Sequence, residues 1–156
     1  EKDIYPVGRL DKDSEGLLLL TNDNALNSYL LNPANKHERE YYAQVEGVPL
    51  KDDLERLKSG VAIEGKITLP AKVKIIDDPG FSPRSTPIRE RKNIPTCWIS
   101  LTLIEGRNRQ VRKMTAAIGH PTLRLIRVRI KNIKLAALAP GEVRLLTSDE
   151  ISSLKK

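Results

Sequence analysis

Trp98-Ile99-Ser100-Leu101-Thr102-Leu103-Ile104-Glu105 is the clearest strand in the chain. Its residues divide at a period of two, with Trp98, Ser100, Thr102 and Ile104 on one face and Ile99, Leu101, Leu103 and Glu105 on the other. Gly106 ends it, and Asn108 to Ile118 follows as a helix with Val111, Met114 and Ile118 on one side and Gly119 at its end. Leu123 to Ile130 reads as a second strand whose alternation slips at Leu125-Ile126, which predicts a bulge there. The turn Ala139-Pro140-Gly141-Glu142 leads into a short strand at Val143–Leu146. Thr147 and Glu150 then form a capping-box pattern for a last helix.

Upstream of Trp98 the pattern is similar. The apolar run Leu17 to Leu20 after Gly16 predicts a buried strand. Asn22 or Asp23 caps a short helix carrying Ala25, Leu26, Tyr29 and Leu30, stopped by Pro33. Tyr41 to Glu46 is a strand ending at Gly47, and Leu50 to Ser59 a helix with Leu54 and Leu57 inward and Gly60 just beyond. Strands follow at Val61–Glu64 and Ala71–Ile76, whereas the four prolines between residues 77 and 96 make that stretch a loop. Strands joined by short turns, with helices between them, predict an α+β fold: a mixed, largely antiparallel sheet with flanking helices, one domain over residues 1–156.

The charge distribution points to a polyanion. Between Gly80 and Leu135 thirteen Arg or Lys residues face two acids, a net +11, while the rest of the chain sums to −4. Such asymmetry suits a nucleic-acid surface, although a merely solvated basic face fits the same numbers. No apolar run approaches the roughly 20 residues of a membrane helix. A single cysteine, Cys97, excludes an internal disulfide and suits a reducing, cytoplasmic setting.

Few residue groups carry chemistry. His37, His120 and Cys97 stand at no zinc spacing, so no metal site is expected, and no glycine pattern cradles a nucleotide. Side chains alone are expected to act, without a cofactor. On residue type Asp11, Asp13 and Glu15 are equal candidates, and each also reads as an ordinary loop acid or helix cap. Gly106-Arg107-Asn108-Arg109-Gln110-Val111-Arg112-Lys113 places four cations where a helix begins, which makes either an anion site or a solvated helix start.

Three segments taken together are more specific. Gly8-Arg9-Leu10-Asp11 with Ser14-Glu15-Gly16-Leu17-Leu18-Leu19 resembles the catalytic-aspartate motif of the pseudouridine synthases that modify ribosomal RNA. Glu38-Arg39-Glu40-Tyr41, leading into Val45-Glu46-Gly47, resembles their tyrosine motif, and Glu105 to Met114 their later basic motif. With Thr86-Pro87-Ile88-Arg89-Glu90-Arg91-Lys92 the chain is similar to the branch named for the small-subunit enzyme RsuA. Ser14 and Arg109 depart from the wider family, which has Thr and often His there.

The resemblance implies the pseudouridine synthase catalytic fold, with large-subunit ribosomal RNA as partner, no membrane and a monomeric enzyme. It also implies a further catalytic-domain segment ahead of residue 1. Asp11 becomes the reacting carboxylate, Arg107 its guanidinium partner, and Tyr41 the group that stacks on the target base. Arg9 is expected to fill the space of a flipped nucleotide or to hold the neighbouring phosphate. Arg89, Arg91, Lys92, Arg109, Arg112, Arg124, Arg127 and Arg129 are expected to hold RNA, most of them through its phosphates. Two rivals remain at this point, a non-catalytic RNA-binding module and an acid/base hydrolase, the second of which would want another functional carboxylate.

Overall fold

The structure, a computed structural model, describes residues 3–88 and 93–156. Its elements in order are β1 (Tyr5–Pro6), β2 (Glu15–Gly16), β3 (Leu20–Thr21), α1 (Asn24–Leu31), β4 (Arg39–Glu46), α2 (Lys51–Ser59), β5 (Ala62–Ile63) and β6 (Lys66–Ile67). They continue with β7 (Lys72–Ile76), β8 (Thr96–Leu103), α3 (Gln110–Ala117), β9 (Thr122–Ile130), β10 (Ile133–Lys134) and α4 (Ser148–Leu154). This is the expected α+β class. The main sheet runs β10-β9-β4-β8-β7 and is antiparallel throughout that path. β2 is the exception, joining β9 in parallel through Glu15↔Ile126 and Gly16↔Arg127.

Local chemistry explains the helix ends. Asp23 caps α1 by accepting from the Leu26 amide at 3.0 Å, and Thr147 with Glu150 closes a capping box on α4. Gly60, at φ 124, ends α2 in a conformation that side chains resist. The predicted continuous strand at Leu17–Leu20 is not one: Leu17 and Leu19 are buried while Leu18 and Leu20 are exposed, because the segment runs between two short pairings. The strand predicted at Val143–Leu146 is also absent. Val143 and Leu145 are exposed and belong to no sheet, and the last strand is instead β10, ten residues earlier, which rests on an unforeseen tight turn after Ile130.

Register decides which side chains meet. The core face of the sheet carries Tyr41, Ala43 and Val45 of β4, opposite Leu101, Ile99 and Cys97 of β8. On this face α2 and α3 bury Leu57, Val111 and Met114. A fully buried side chain such as Leu57 contributes roughly 1.5–3 kcal/mol. A second apolar cluster, with Val7, Leu17, Leu19, Leu30, Ile130, Ile133 and Leu154, gathers at the β9–β10 end. The back face is covered too, since Phe81 packs against Tyr42 and Trp98 at ring separations of 6.4 and 6.3 Å. β8 is therefore buried on both sides.

The bulge expected at Leu125-Ile126 lies elsewhere. Those residues pair regularly, and the register shifts instead between Glu40/Tyr41 and Gln44/Val45, which leaves Val128 and Leu123 unpaired on β9. The shift at Val128 has a consequence for the arginines. Arg127 lies opposite Tyr41 on the core face, while Arg129 lies opposite Glu40 on the back face. Without the extra residue the two would share a side.

Candidate active site

A cavity of about 460 Å³ opens on the core face between the two apolar clusters. Its lining includes Arg9, Asp11, Arg39, Tyr41, Arg107 and Arg127, with Leu30, Leu125 and Val111 as apolar wall. The volume suits a nucleoside-sized group, and apolar walls with a few converging polar groups are usual for such sites.

Asp11 stands in the turn after Arg9, where its carbonyl accepts from the Ser14 amide at 2.9 Å. Its carboxylate lies 3.6 Å from Arg109, an ion pair too long for a hydrogen bond. Arg109 gives its fork to Asp13 instead, at 2.9 and 2.8 Å. That bidentate contact, above all, holds the Asp13 carboxyl well below the ordinary carboxylate range. Arg112 adds bonds from Nη2 to the Asp13 carbonyl at 3.0 Å and the Ser14 hydroxyl at 3.3 Å. Asp13 thus ties the aspartate loop to the start of α3, and Asp11 is left half-exposed at the cavity.

The α3 end is built for this. Arg109 adopts φ 51, a left-handed conformation uncommon outside glycine, and precedes the helix. The Gln110 side chain turns back to accept from the Arg107 amide at 2.9 Å and donates to Glu105 at 2.7 Å. These bonds replace a conventional cap and aim Arg109 and Arg112 at the loop carrying Asp11.

Arg107 does not pair with Asp11, contrary to the expectation from the motif. Its guanidinium donates to the carbonyls of Ile63 at 2.6 Å and Lys66 at 3.1 Å, so its fork is committed to the β5–β6 hairpin. Among the described residues the cation ion-paired with Asp11 is Arg109, two residues later, which takes the left-handed conformation before α3.

The arginines of β9, expected to hold RNA, make these contacts within the fold. Arg124 is buried on the back face, bonded to both Glu15 oxygens and to the Ser82 carbonyl. Arg129 is bonded to Glu40, Glu38 and the Lys131 carbonyl. Arg127 is 4% exposed on the cavity side. Arg112 is likewise turned inward, onto the Asp13 carbonyl and the Ser14 hydroxyl. Arg9 is exposed beside the cavity. Arg89, Arg91 and Lys92 lie outside the described residues.

Two residues escaped the sequence reading. Arg39, two positions before Tyr41 and therefore on the same face of β4, lines the cavity floor; burial pushes its guanidinium down from its usual value. Asp13 was on the page as an acid, but nothing in the sequence marks it as the shared partner of two arginines. Among the described residues no group of three or more His, Cys, Asp or Glu is placed to hold a metal ion, and no helix is long and apolar enough to cross a membrane.

Residues 1–117 match the family described as RNA pseudouridylate synthase. The ribosomal large subunit pseudouridine synthase E of Vibrio parahaemolyticus is 53% identical over 141 residues, which cover 90% of this chain and 59% of that protein. The enzyme of the same name from Xanthomonas axonopodis pv. citri is 52% identical, over 88% of this chain and 73% of its own length. A crystal structure of a pseudouridylate synthase superposes with a TM-score of 0.82 at 30% identity, covering 97% of this chain and 60% of the other. The chain spans about 60% of the length of the Vibrio relative and of that solved structure.

Proposed function

The chain belongs to the RNA pseudouridylate synthase family, and from that premise we propose that it isomerises a uridine of large-subunit ribosomal RNA to pseudouridine with side chains alone. The observation that carries the reading is the placement of Asp11 and Tyr41 on one nucleoside-sized cavity, with Arg109 beside the carboxylate. The two Vibrio and Xanthomonas relatives, whose names specify the large ribosomal subunit, support the substrate class.

The reaction breaks the N1–C1′ bond, turns the base and joins C5 to C1′. A proton leaves C5 and one is gained at N1, so no co-reactant is consumed. Asp11 supplies negative charge or a nucleophile at the reacting sugar, with the Arg109 cation 3.6 Å from its carboxylate. Tyr41 stacks on the base, and its phenol is the proposed acceptor of the C5 proton. A uridine in folded RNA must first leave its stack, at a cost of a few kcal/mol. Arg9, exposed beside the cavity, occupies the vacated place.

The test is incubation with unmodified large-subunit rRNA followed by chemical mapping of pseudouridine. One modified position with the wild-type protein and none with Asp11→Asn is the expected result. Binding without product would leave a non-catalytic RNA-binding role, and equal product from Asp11→Asn would remove Asp11 from the reaction.

A further inference from the structure

Among the described residues, Arg127 is a buried cation, 4% exposed, with no acid as hydrogen-bond or ion-pair partner. It also repels the guanidinium of Arg39, which lines the same cavity. A buried charge is costly unless something specific holds it, so the bonds it does make show what it is kept for.

All of those bonds go to the two flanks of the loop that carries Asp11. Nε donates to the Leu17 carbonyl at 2.8 Å, and Nη1 reaches the Arg9 carbonyl at 3.4 Å. The backbone of the same residue completes the junction, since the Leu17 amide donates to the Arg127 carbonyl at 2.8 Å. Gly16, at φ 109, lies so close to this backbone that a Cβ there would collide with the Arg127 carbonyl oxygen. Residues 9 and 17 are thus held by one side chain, with Asp11 between them. The bulge at Val128 turns that side chain to the cavity face. The third nitrogen, Nη2, is buried with no partner, so the group is not saturated by the fold alone.

We infer that Arg127 is a positioning residue: its guanidinium braces both flanks of the aspartate loop and thereby sets where the Asp11 carboxylate stands in the cavity. The inference rests on the reading of Asp11 as the reacting group. Lysine carries the charge but not the planar fork, and cannot bridge two carbonyls in this way. A shift of the order of 1 Å in a reacting group lowers a rate by about a hundredfold.

The experiment compares wild type, Arg127→Lys and Arg127→Met by thermal melting, rRNA affinity against salt, single-turnover rate at saturating rRNA, and hydrogen exchange of the amides of residues 9–17. Arg127→Lys is expected to bind rRNA within a few fold and with an unchanged salt slope. Its saturated rate should fall by about a hundredfold, and the loop amides should exchange faster while those of β4 and β8 hold. A rate within threefold of wild type would overturn the proposal. So would a salt slope reduced by about one contact, which would make Arg127 a phosphate ligand. If neither variant folds, the wild-type protein decides by the exchange of the Arg127 Nε proton. Slow exchange, free and RNA-bound, is expected of a proton held on the Leu17 carbonyl, and fast exchange refutes the clamp. A wild-type protein that makes no pseudouridine would sink the isomerase reading separately, because both exchange measurements need no turnover.

Discussion

Asp13 has both carboxylate oxygens on the Arg109 fork, while Asp11, two positions earlier, has Arg109 at 3.6 Å and the open cavity beside it. The two acids therefore differ in setting: one orders the cations and the other faces the cavity. We expect Asp13→Asn to keep the fold and lower single-turnover rate by about tenfold, because Arg109 and Arg112 lose their shared anchor; charged hydrogen bonds of this kind are worth roughly 1.5–3 kcal/mol, less at an exposed pair. Asp11→Asn should be far more severe, and equal losses would show that the acids were assigned in the wrong order. The pH dependence has a definite sign. Arg109 lowers the Asp13 pKa in the folded protein, so the stabilisation is fully present above the ordinary carboxylate value near 4 and is lost as pH falls through the depressed native value. Asp13 should then add no acid limb to the rate profile above about pH 5, and hydrogen exchange in the loop should rise only below about pH 4. Loop opening between pH 6 and 5 would contradict this.

At the scale of elements, the parts that the sequence discloses are those whose cause is local. The Asp23 cap, the Thr147–Glu150 box, Gly60 and the apolar face of α3 are set by neighbours within one helical turn, and each stands where the residues place it. β2, β6 and β10 each have two residues, too few for a period; β2 exists because the distant β9 receives it, and β6 and β10 because tight turns fold them back on β5 and β9. The site divides in the same way. The motif residues Asp11 and Tyr41 meet at one cavity, whereas the partner of Asp11 depends on the left-handed turn at Arg109, which no spacing announces. Arg107 supplies the element-scale prediction. Its bonds to Ile63 and Lys66 join the β5–β6 hairpin to the end of β8, so Arg107→Lys should cost about 1–3 kcal/mol in thermal unfolding. At temperatures below melting its saturated turnover should remain within a few fold. A hundredfold loss of rate with unchanged melting would restore Arg107 as the partner of Asp11 in the RNA-bound state.

Across the whole molecule, much of the positive charge of the basic stretch is engaged within the fold. The basic stretch from Gly80 to Leu135 carries +11, yet Arg124 and Arg129 neutralise Glu15, Glu38 and Glu40 on the back of the sheet, and Arg127 is enclosed. Arg109 and Arg112 are drawn onto the aspartate loop. Affinity for a polyanion rises with the number of phosphates neutralised, each contributing roughly 0.7–0.9 to the slope of log affinity against log salt. Cations already spent on carboxylates inside the fold should add almost nothing to that slope. We therefore expect Arg129→Ala to lower the melting temperature, by leaving Glu40 without its 3.0 Å partner, while the salt slope stays at the wild-type value. Arg91→Ala with Lys92→Ala should do the opposite, flattening the slope by up to about two contacts and sparing the melt and the saturated rate. Fluorescence titrations with rRNA fragments at several salt concentrations, paired with melting curves, separate the two classes. If Arg129→Ala flattens the slope as much as the loop pair does, the back face of the sheet touches RNA, and the substrate must wrap around the edge strand β7 rather than lie over the cavity alone.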